Sequence, residues 1–178
     1  MRRVSPNFDR ALSKYFGTQT PDPVAAQGSH DAYVMALRAH GTDVEILGAL
    51  DSHPDCCFVE DCAVMIDGVA LISNLGAPSR RGEEVAVAKY LSEGSDLLRM
   101  PQDATLDGGD VIFFDDRYLI GLSTRTNQAG AAFLTEQVKE EGFDVELIDI
   151  PSSTLHLTTV CSSPREGTLV AAEGHLTQ

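Results

Sequence analysis

The fold is decided by residues 62–98, which read CAVMIDGVALISNLGAPSRRGEEVAVAKYLSEGSDLL. Two apolar runs, 62–66 and 69–72, have the length and composition of strands. Between them stand Asp67 and Gly68, a pair that favours the left-handed backbone of a tight type I′ turn. The segment therefore begins as an antiparallel hairpin.

The rest of this segment predicts a loop, a helix and a closing strand. A Gly/Pro/Ser loop carries Arg80, with Ser79 as a candidate cap for the helix that follows. That helix covers 83–93 and stops at Gly94, because glycine favours the end of a helix. Helical spacing puts three apolar residues on one face: Val85, Ala88 and Leu91. Residues 97–98 close a unit whose elements run in the order ββαβ.

The same order of elements recurs in residues 111–147. The second copy consists of strands at 111–114 and 118–120 around Asp115-Asp116, a loop at 123–126, a helix at 127–141 with Ala131, Leu134 and Val138 on one face, the stop residue Gly142, and an alternating strand at 143–147. Arg80 and Arg125 occupy matching places in the two loops, 45 positions apart. Recurrence of a whole unit in order indicates a repeat architecture.

Partial copies of the unit stand on either side of these two. A third copy begins with a strand at Leu155, turns near 164–167 and returns through 168–172. The N-terminal part supplies the latter half of another copy, made of a helix at 30–40, the stop residue Gly41 and a strand at 44–47. The chain therefore holds about three and a half ββαβ-like units.

These units predict a single α+β domain over residues 1–178, with a mobile loop at 17–29 that is rich in Thr, Gln, Pro and Gly. Small sheets backed by helices suggest an α/β propeller, in which the loops beside each hairpin meet at a shared centre. A doubly wound parallel sheet is disfavoured because of the hairpins. The propeller is expected to be incomplete at its C-terminus, with exposed strand edges and a tendency to unfold or self-associate.

Composition narrows the class of partner. The net charge of −14 over 178 residues argues against a nucleic-acid footprint. It suits a cationic small ligand in an acidic cleft, or it simply keeps the protein in solution. No apolar run is long enough to span a bilayer and no signal peptide follows Met1, so a membrane partner is not expected and the cytoplasm is predicted. The four cysteines lack the paired spacing of a structural zinc site, so no metal site is expected.

Acidic residues and a lone histidine precede the predicted hairpins. Glu60 and Asp61 are adjacent carboxylates that can accept the forked hydrogen bonds of a planar guanidinium, although such pairs often only solvate a strand end. Asp107 opens the string Asp-Gly-Gly-Asp, where an acid can orient an imidazole. His156, flanked by two leucines, is either a structural histidine on a strand or a general acid/base.

Other charged residues predict the ends of an amino-acid ligand. Arg80 and Arg125 can each clamp a carboxylate with two hydrogen bonds, whereas Arg81 and Arg117 are interpreted as surface ion-pair residues. Asp55 can meet a ligand ammonium group, and a turn residue is an equal alternative for it.

These strings resemble the dimethylarginine dimethylaminohydrolase family, whose superfamily modifies guanidino groups and has a five-bladed α/β propeller, the pentein fold. The likeness covers about residues 51–172 and is carried by Pro54-Asp55, Phe58-Val59-Glu60-Asp61-Cys62-Ala63-Val64, Gly76-Ala77-Pro78-Ser79-Arg80-Arg81, Leu106-Asp107-Gly108-Gly109-Asp110-Val111, Gly121-Leu122-Ser123-Thr124-Arg125-Thr126-Asn127-Gln128 and Leu155-His156-Leu157.

The resemblance implies hydrolysis of methylated arginine to citrulline and a methylamine, without a cofactor. The roles it implies are guanidinium binding by Glu60 and Asp61, α-amino binding by Asp55, α-carboxylate binding by Arg80 and Arg125, acid/base catalysis by His156 and orientation of that imidazole by Asp107. In such a mechanism a cysteine thiolate attacks the guanidinium carbon. The histidine protonates the departing amine and then activates the water that releases citrulline.

The chain departs from this family in its nucleophile, because the family's cysteine lies near the C-terminus in a region that has no match here. Cys161 aligns with no nucleophile, and Cys56, Cys57 and Cys62 are not assigned that role. The chain resembles roughly the first two thirds of the enzyme. A fragment, a natural truncation and a site completed by another chain all stay open, as does a homo-oligomer. We expect the chain alone to be inactive.

Three functions are therefore compared. The first is hydrolysis of methylarginine, at least by the parent protein. The second is binding of arginine or another guanidine without catalysis, because the nucleophile is missing. The third is the activity of an arginine deiminase or amidinotransferase, which share the fold. The strings Phe-Val-Glu-Asp and Gly-Ala-Pro-Ser-Arg-Arg favour methylarginine over the third.

Overall fold

The computed structural model describes residues 1–14 and 19–176. The chain divides into two compact units, residues 1–59 and 60–178. The prediction of a single domain over the whole chain stays a prediction. Among the described residues, no helix combines the length and the apolar character that crossing a bilayer requires.

The N-terminal unit contains one long helix, α1 (Pro23–Ala39). The carboxylate of Asp22 caps it by accepting hydrogen bonds from the backbone N–H groups of Val24 and Ala25, at 2.9 and 3.3 Å. Pro23 suits the first helical position, where a backbone N–H has no partner within the helix. The sequence interpretation of 23–29 as a loop, with the helix beginning at residue 30, is therefore wrong. Gly17 and Thr18 lie outside the described residues.

The predicted strand at 44–47 is also wrong, because only one of its residues pairs. Leu47 forms a single parallel bridge with Arg2. Its N–H donates to the carbonyl of Met1 at 2.9 Å, and its carbonyl accepts from the N–H of Arg3 at 3.0 Å. The predicted end of the helix is confirmed, since α1 ends at Ala39 and Gly41 has the positive φ of 86° that glycine tolerates.

The C-terminal unit contains two copies of one three-stranded sheet. In the first copy the strands are β1 (Ala63–Ile66), β2 (Val69–Ile72) and β3 (Asp96–Arg99), with helix α2 (Glu83–Leu91) between β2 and β3. In the second they are β4 (Val111–Phe114), β5 (Arg117–Leu122) and β6 (Asp144–Asp149), with helix α3 (Gln128–Glu140). In each copy the hairpin is antiparallel and the last pairing is parallel. The two predicted ββαβ units are confirmed.

Both hairpin turns fall where the sequence places them. Asp67 and Gly68 have φ angles of 41° and 89°, as a type I′ turn requires. Asp115 has a φ of 54° in the corresponding turn of the second copy. Asp and Gly tolerate this left-handed region better than most residues, so local chemistry alone sets these two turns.

The third copy begins differently from the prediction. Leu155 and His156 do not start a strand. One helical turn, α4 (Leu157–Val160), comes first, and the hairpin follows as β7 (Cys161–Arg165) and β8 (Thr168–Ala171). The turn forms because the first free N–H of α4, that of Leu157, donates to the buried carboxylate of Asp110 at 3.1 Å.

The helices pack their apolar faces on the sheets, with one exception to the prediction. Ala131, Leu134 and Val138 of α3 are buried, as predicted. In α2 the buried residues are Glu83, Val87 and Ala88, whereas Val85 is 63% exposed, so the predicted face is wrong. The helix is turned so that the carboxylate of Glu83 points inward. In β6, Leu147 is also exposed, which breaks the predicted alternation.

Candidate functional site

One helical turn precedes each hairpin, and the candidate acid/base residues stand on these turns. Asp61 belongs to the 3-10 turn Val59–Cys62 before β1. Asp107 directly precedes the 3-10 turn Gly108–Asp110 before β4, and His156 directly precedes α4 before β7. The polar atoms of Asp61, Asp107 and His156 lie within 4.8 Å of one another, and all three residues are buried. The repeat therefore brings together residues that are far apart in sequence.

His156 and Asp107 form a buried pair. The imidazole Nε2 lies 3.1 Å from Oδ2 of the carboxylate. The other carboxylate oxygen, Oδ1, accepts the N–H of Gly76 at 2.8 Å, and the N–H of Asp107 donates to the hydroxyl of Thr126 at 3.2 Å. Because both ends of the acid are fixed, the ring is held with Nε2 as the hydrogen-bond donor.

The opposite edge of the imidazole faces Asp61. Nδ1 of His156 lies 3.8 Å from Oδ1 of Asp61, and that oxygen accepts the N–H of Gly109 at 2.9 Å. A side chain at position 109 does not fit here. A Cβ there would lie 2.6 Å from Nδ1 of His156 and 2.8 Å from Oδ1 of Asp61. The second glycine of the Asp-Gly-Gly-Asp string thus lets the backbone approach both groups.

Arg80 pairs with Asp61 directly. Its Nη1 donates to Oδ2 of Asp61 at 2.5 Å, and its Nε and Nη2 donate to Oε2 of Glu83 at 3.1 and 2.8 Å. Arg80, Asp61 and Glu83 are 3%, 3% and 1% exposed, so two buried acids surround one buried guanidinium. Sequence analysis missed Glu83. Its spacing of three residues from Arg80, at the start of α2, is the signal that could have found it.

Arg125 occupies the equivalent loop of the second copy. Its Nη1 donates to Oδ2 of Asp107 at 3.2 Å, and 12% of its side chain is exposed, against 4% for Arg80. Its backbone packs against Gly76 so closely that a Cβ at that position would lie 2.2 Å from the carbonyl oxygen of Arg125. The two arginine loops are therefore in contact, and each arginine is bonded to an acid of the preceding turn.

Burial and charge act in opposite directions on the two main titrating groups. Burial alone would lower the pKa of His156, but the hydrogen bond to Asp107 and the negative charges of Asp61, Asp110 and Asp107 raise it above its usual value. Burial alone would raise the pKa of Asp107, but the hydrogen bonds from His156 and Gly76 lower it, with help from the charges of His156 and Arg125. The pair therefore favours an imidazolium beside a carboxylate.

Asp110, the last residue of the Asp-Gly-Gly-Asp string, is fully buried and holds three chain segments. Its Oδ2 accepts hydrogen bonds from the hydroxyls of Ser123 and Thr126, each at 2.6 Å. Its Oδ1 accepts the N–H of Leu157 at 3.1 Å. Sequence analysis did not assign a role to Asp110, Ser123 or Thr126, because nothing in the local pattern shows that their segments meet.

Among the other predicted residues, Glu60 interacts through its charge with Asp61, His156 and Arg80. Asp55 belongs to the N-terminal unit, is buried, and accepts the N–H of Leu12 at 3.0 Å. Glu60, next to Asp61, is exposed at the start of the second unit. Arg117 forms an exposed ion pair with its neighbour Asp116 at 3.4 Å, which agrees with a surface role. Arg81 is also exposed.

No disulfide bond joins the four cysteines, all of which lie among the described residues. Burial, and then the negative charge of Glu83, raises the pKa of Cys62 to about 12. Burial raises the pKa of Cys161, which packs in an apolar cluster with Ile112, Leu119, Ile150 and Leu157. Since the thiolate is the reactive form, burial makes these two thiols less reactive than an exposed cysteine.

A metal ion is a poor match for the cluster of Asp61, Asp107 and His156, although its three ligand atoms are close enough to hold one. Arg80 already neutralises Asp61, and Arg125 already neutralises Asp107. A divalent cation would therefore face two guanidinium groups. The absence of a metal stays a prediction.

Comparison with known proteins gives one consistent family. The family model described as N,N dimethylarginine dimethylhydrolase, eukaryotic, matches residues 20–178. A protein of Streptomyces coelicolor named N(G),N(G)-dimethylarginine dimethylaminohydrolase is 34% identical over 177 residues, which cover 99% of this chain and 67% of that protein. One of the same name from Pseudomonas aeruginosa is 31% identical over 168 residues and is covered to 64% of its length.

A solved structure agrees with these sequences. It is that of dimethylarginine dimethylaminohydrolase from Pseudomonas aeruginosa, a cysteine-to-serine mutant complexed with citrulline, with a TM-score of 0.91 and 27% identity. The match covers 97% of this chain and 68% of the other. The mixed α+β class is thereby confirmed, whereas closure of the units around an axis stays a prediction. The chain spans between about half and two thirds of the length of the curated relatives it matches.

Proposed function

The chain belongs to the dimethylarginine dimethylaminohydrolase family, and on that basis we propose that it binds methylated arginine and takes part in its hydrolysis to citrulline and a methylamine. One observation carries the proposal most directly. His156 lies between two acids, bonded to Asp107 through Nε2 and 3.8 Å from Asp61 through Nδ1. One edge of the imidazole is thus oriented, while the other stands beside a carboxylate able to hold a cation.

Asp61 and Glu60 bind the substrate guanidinium in this proposal. A carboxylate has about four lone-pair sites, and Asp61 uses two of them for Gly109 and Arg80. Two hydrogen bonds from a substrate guanidinium can fill the rest. Glu60, exposed next to it, supplies a second negative charge.

The amino-acid end of the substrate is assigned to Arg125, Arg80 and Asp55. Arg125 is the more accessible of the two arginines and has its guanidinium next to the His156–Asp107 pair. Arg80 is bonded to two acids, so its contribution to carboxylate binding requires a change in that pairing. Asp55 is proposed for the α-amino group on the family resemblance alone.

The nucleophile is proposed to come from outside the residues described here, either from a further C-terminal segment or from another chain. The raised pKa values of Cys62 and Cys161 support this, because thiols of this kind do not attack at neutral pH. A cysteine thiolate supplied in this way adds to the guanidinium carbon. His156 gives a proton to the departing methylamine, and then takes one from the water that cleaves the carbon–sulfur bond and releases citrulline.

Binding of a guanidine without catalysis is the second candidate. The raised pKa values of Cys62 and Cys161 favour this candidate, because binding needs the acids and the arginines but no thiolate. The chain alone is then a binding protein, and the cytoplasm remains its predicted location.

Two measurements on the 178-residue chain test the proposal. The first is citrulline formation from asymmetric dimethylarginine, for which we expect no turnover. The second is calorimetric titration with citrulline and with arginine, for which we expect binding. Asp61→Asn should weaken arginine binding by about 10- to 100-fold, because a charge-assisted hydrogen bond contributes about 1.5–3 kcal/mol. The exposed Asp116→Asn is the matched control. Turnover by the chain alone would exclude an external nucleophile, and an unaltered affinity in Asp61→Asn would exclude the proposed guanidinium site.

A further inference from the structure

We propose that Asp110 is a positioning residue that holds the arginine loop and the histidine turn in one fixed arrangement. The proposal rests on the proposed function, in which Arg125 and His156 act on the same substrate. Asp110 itself touches neither residue's functional group. It acts through Ser123 and Thr126 on one side and through Leu157 on the other.

The three hydrogen bonds of Asp110 reach both sides of the site. Ser123 and Thr126 flank Arg125 within its loop, and Leu157 directly follows His156. The carboxylate is 0% exposed, so water does not compete for these bonds. Burial also keeps these three hydrogen bonds in place, because a hydroxyl or N–H that left Asp110 would find no water to accept its proton.

The direction of each hydrogen bond is fixed by the backbone. Ser123 Oγ accepts the N–H groups of Arg125 and Thr126, at 3.0 and 3.2 Å, and Thr126 Oγ1 accepts the N–H of Asp107 at 3.2 Å. A backbone N–H can only donate, so each hydroxyl has its own proton left to give. Both protons go to Oδ2 of Asp110, which must therefore accept two donors at once.

This arrangement of donors suits an ionised acid, in which both oxygens accept. Oδ2 accepts two hydroxyl protons and Oδ1 accepts an N–H. These bonds oppose the burial that raises the pKa of Asp110. An asparagine has nearly the same shape, but its NH₂ group at the Oδ2 position would meet the two hydroxyl protons. Alternatively its oxygen would take that place and the NH₂ would meet the N–H of Leu157. Either orientation opposes donors to donors.

The packing around the carboxylate leaves little space for it to move. A Cβ at position 121 would lie 3.1 Å from Oδ1 of Asp110 and 3.2 Å from Cβ of Leu157. Asp110 and Leu157, the first residue of α4, thus both pack against Gly121 in β5. A shift of Asp110 would therefore also displace Leu157.

The charge of Asp110 also reaches the imidazole. The charges of Asp61, Asp110 and Asp107 raise the pKa of His156, and the charge of Glu60 interacts with that of the ring. Asp110 makes no hydrogen bond with the ring, so its removal should lower the His156 pKa through the loss of its charge, while the Asp107 bond remains.

The test uses the full chain carrying Asp110→Asn. NMR titration of the imidazole, assigned by comparison with His156→Gln, gives the His156 pKa without any ligand. Calorimetry with citrulline gives the affinity. We expect a lowered pKa and an affinity reduced about tenfold, whereas the exposed control Asp116→Asn should change neither. A His156 pKa equal to that of the wild type would overturn the proposal, even if the thermal midpoint falls.

If Asp110→Asn does not fold, Ser123→Ala and Thr126→Val decide the matter, because each removes one donor to Asp110. We expect a smaller loss of citrulline affinity in both and a displaced His156 resonance. Wild-type values of both quantities in both variants would overturn the proposal. Failure of the wild-type chain to bind citrulline would count against the proposed function instead, and the ligand-free titration would still decide the role of Asp110.

Discussion

Arg125 and His156 share a single acceptor atom. Nη1 of Arg125 lies 3.2 Å and Nε2 of His156 lies 3.1 Å from Oδ2 of Asp107, which is fully buried. The Asp107 carboxylate thus contacts both Arg125, which is proposed to bind the substrate's carboxylate, and His156, which is proposed to transfer protons. In the proposed function, Asp107 would couple substrate binding at the arginine to proton transfer at the imidazole.

Asp107→Asn should make the stability of the chain less dependent on pH. The folded-state pKa of His156 is raised, so its contribution to stability is fully present below the unfolded value of about 6.5 and is lost as pH rises through the folded value. Without the Asp107 carboxylate much of that contribution disappears. Urea unfolding measured from pH 5 to 9 should show the largest destabilisation at the acidic end. A loss of stability that is constant over this range would contradict the assignment, and Asp116→Asn is the control.

Gly109→Ala should disrupt the site with little effect elsewhere. The new methyl group would lie 2.6 Å from Nδ1 of His156, which the surrounding buried groups leave no room to relieve. Overpacking of this kind costs about 1–3 kcal/mol. Thermal unfolding and citrulline titration should both show the loss. Gly94→Ala provides the comparison, since nothing lies within 4 Å of the corresponding Cβ and its stability should be maintained.

Glu83→Ala should destabilise the fold more than any loss of an exposed acid. The substitution removes two hydrogen bonds from the buried guanidinium of Arg80. Breaking a buried ion pair costs about 3–5 kcal/mol, because the remaining charge stays buried. Chemical denaturation would measure the difference. The exposed Glu136→Ala on α3 should change the free energy of unfolding by less than about 0.5 kcal/mol, and an equal effect of the two substitutions would refute the role of Glu83.

Arg125→Ala should remove discrimination between a ligand carboxylate and its amide. We expect the wild type to bind citrulline about 10- to 100-fold more tightly than citrulline amide, since an arginine–carboxylate bond is charge-assisted. The two ligands should bind the variant with similar affinity. Calorimetry with both ligands gives the ratio directly, and Arg117→Ala is the control because its ion pair is exposed. A ratio that survives Arg125→Ala would move the carboxylate site elsewhere.

Local chemistry predicted the elements of this fold better than it predicted their contacts. Asp67-Gly68 and Asp115-Asp116 set their turns through backbone preferences alone, and both hairpins form where predicted. The repeat of loop positions also predicted that Asp107 and His156 would meet. The Thr, Gln, Pro and Gly content of residues 17–29 predicts a loop, whereas the cap at Asp22 and the proline after it start helix α1 at residue 23.

The missed contacts are between polar groups. Arg80 and Glu83 are three residues apart, but this spacing alone does not show that the two side chains are buried together. The face of α2 was misplaced for the same reason, since burying that ion pair rotates Val85 outward. The three bonds of Asp110 depend on a serine, a threonine and a backbone N–H that become neighbours only when the sheets have formed.

Asp107 and His156 stand at the same place in consecutive copies, each as the last extended residue before one turn of helix. The backbone treats the two positions alike, and only the side chains differ. The identity of the side chain alone therefore decides whether a copy presents a carboxylate or an imidazole at this place, since an extended backbone precedes the helical turn in both copies.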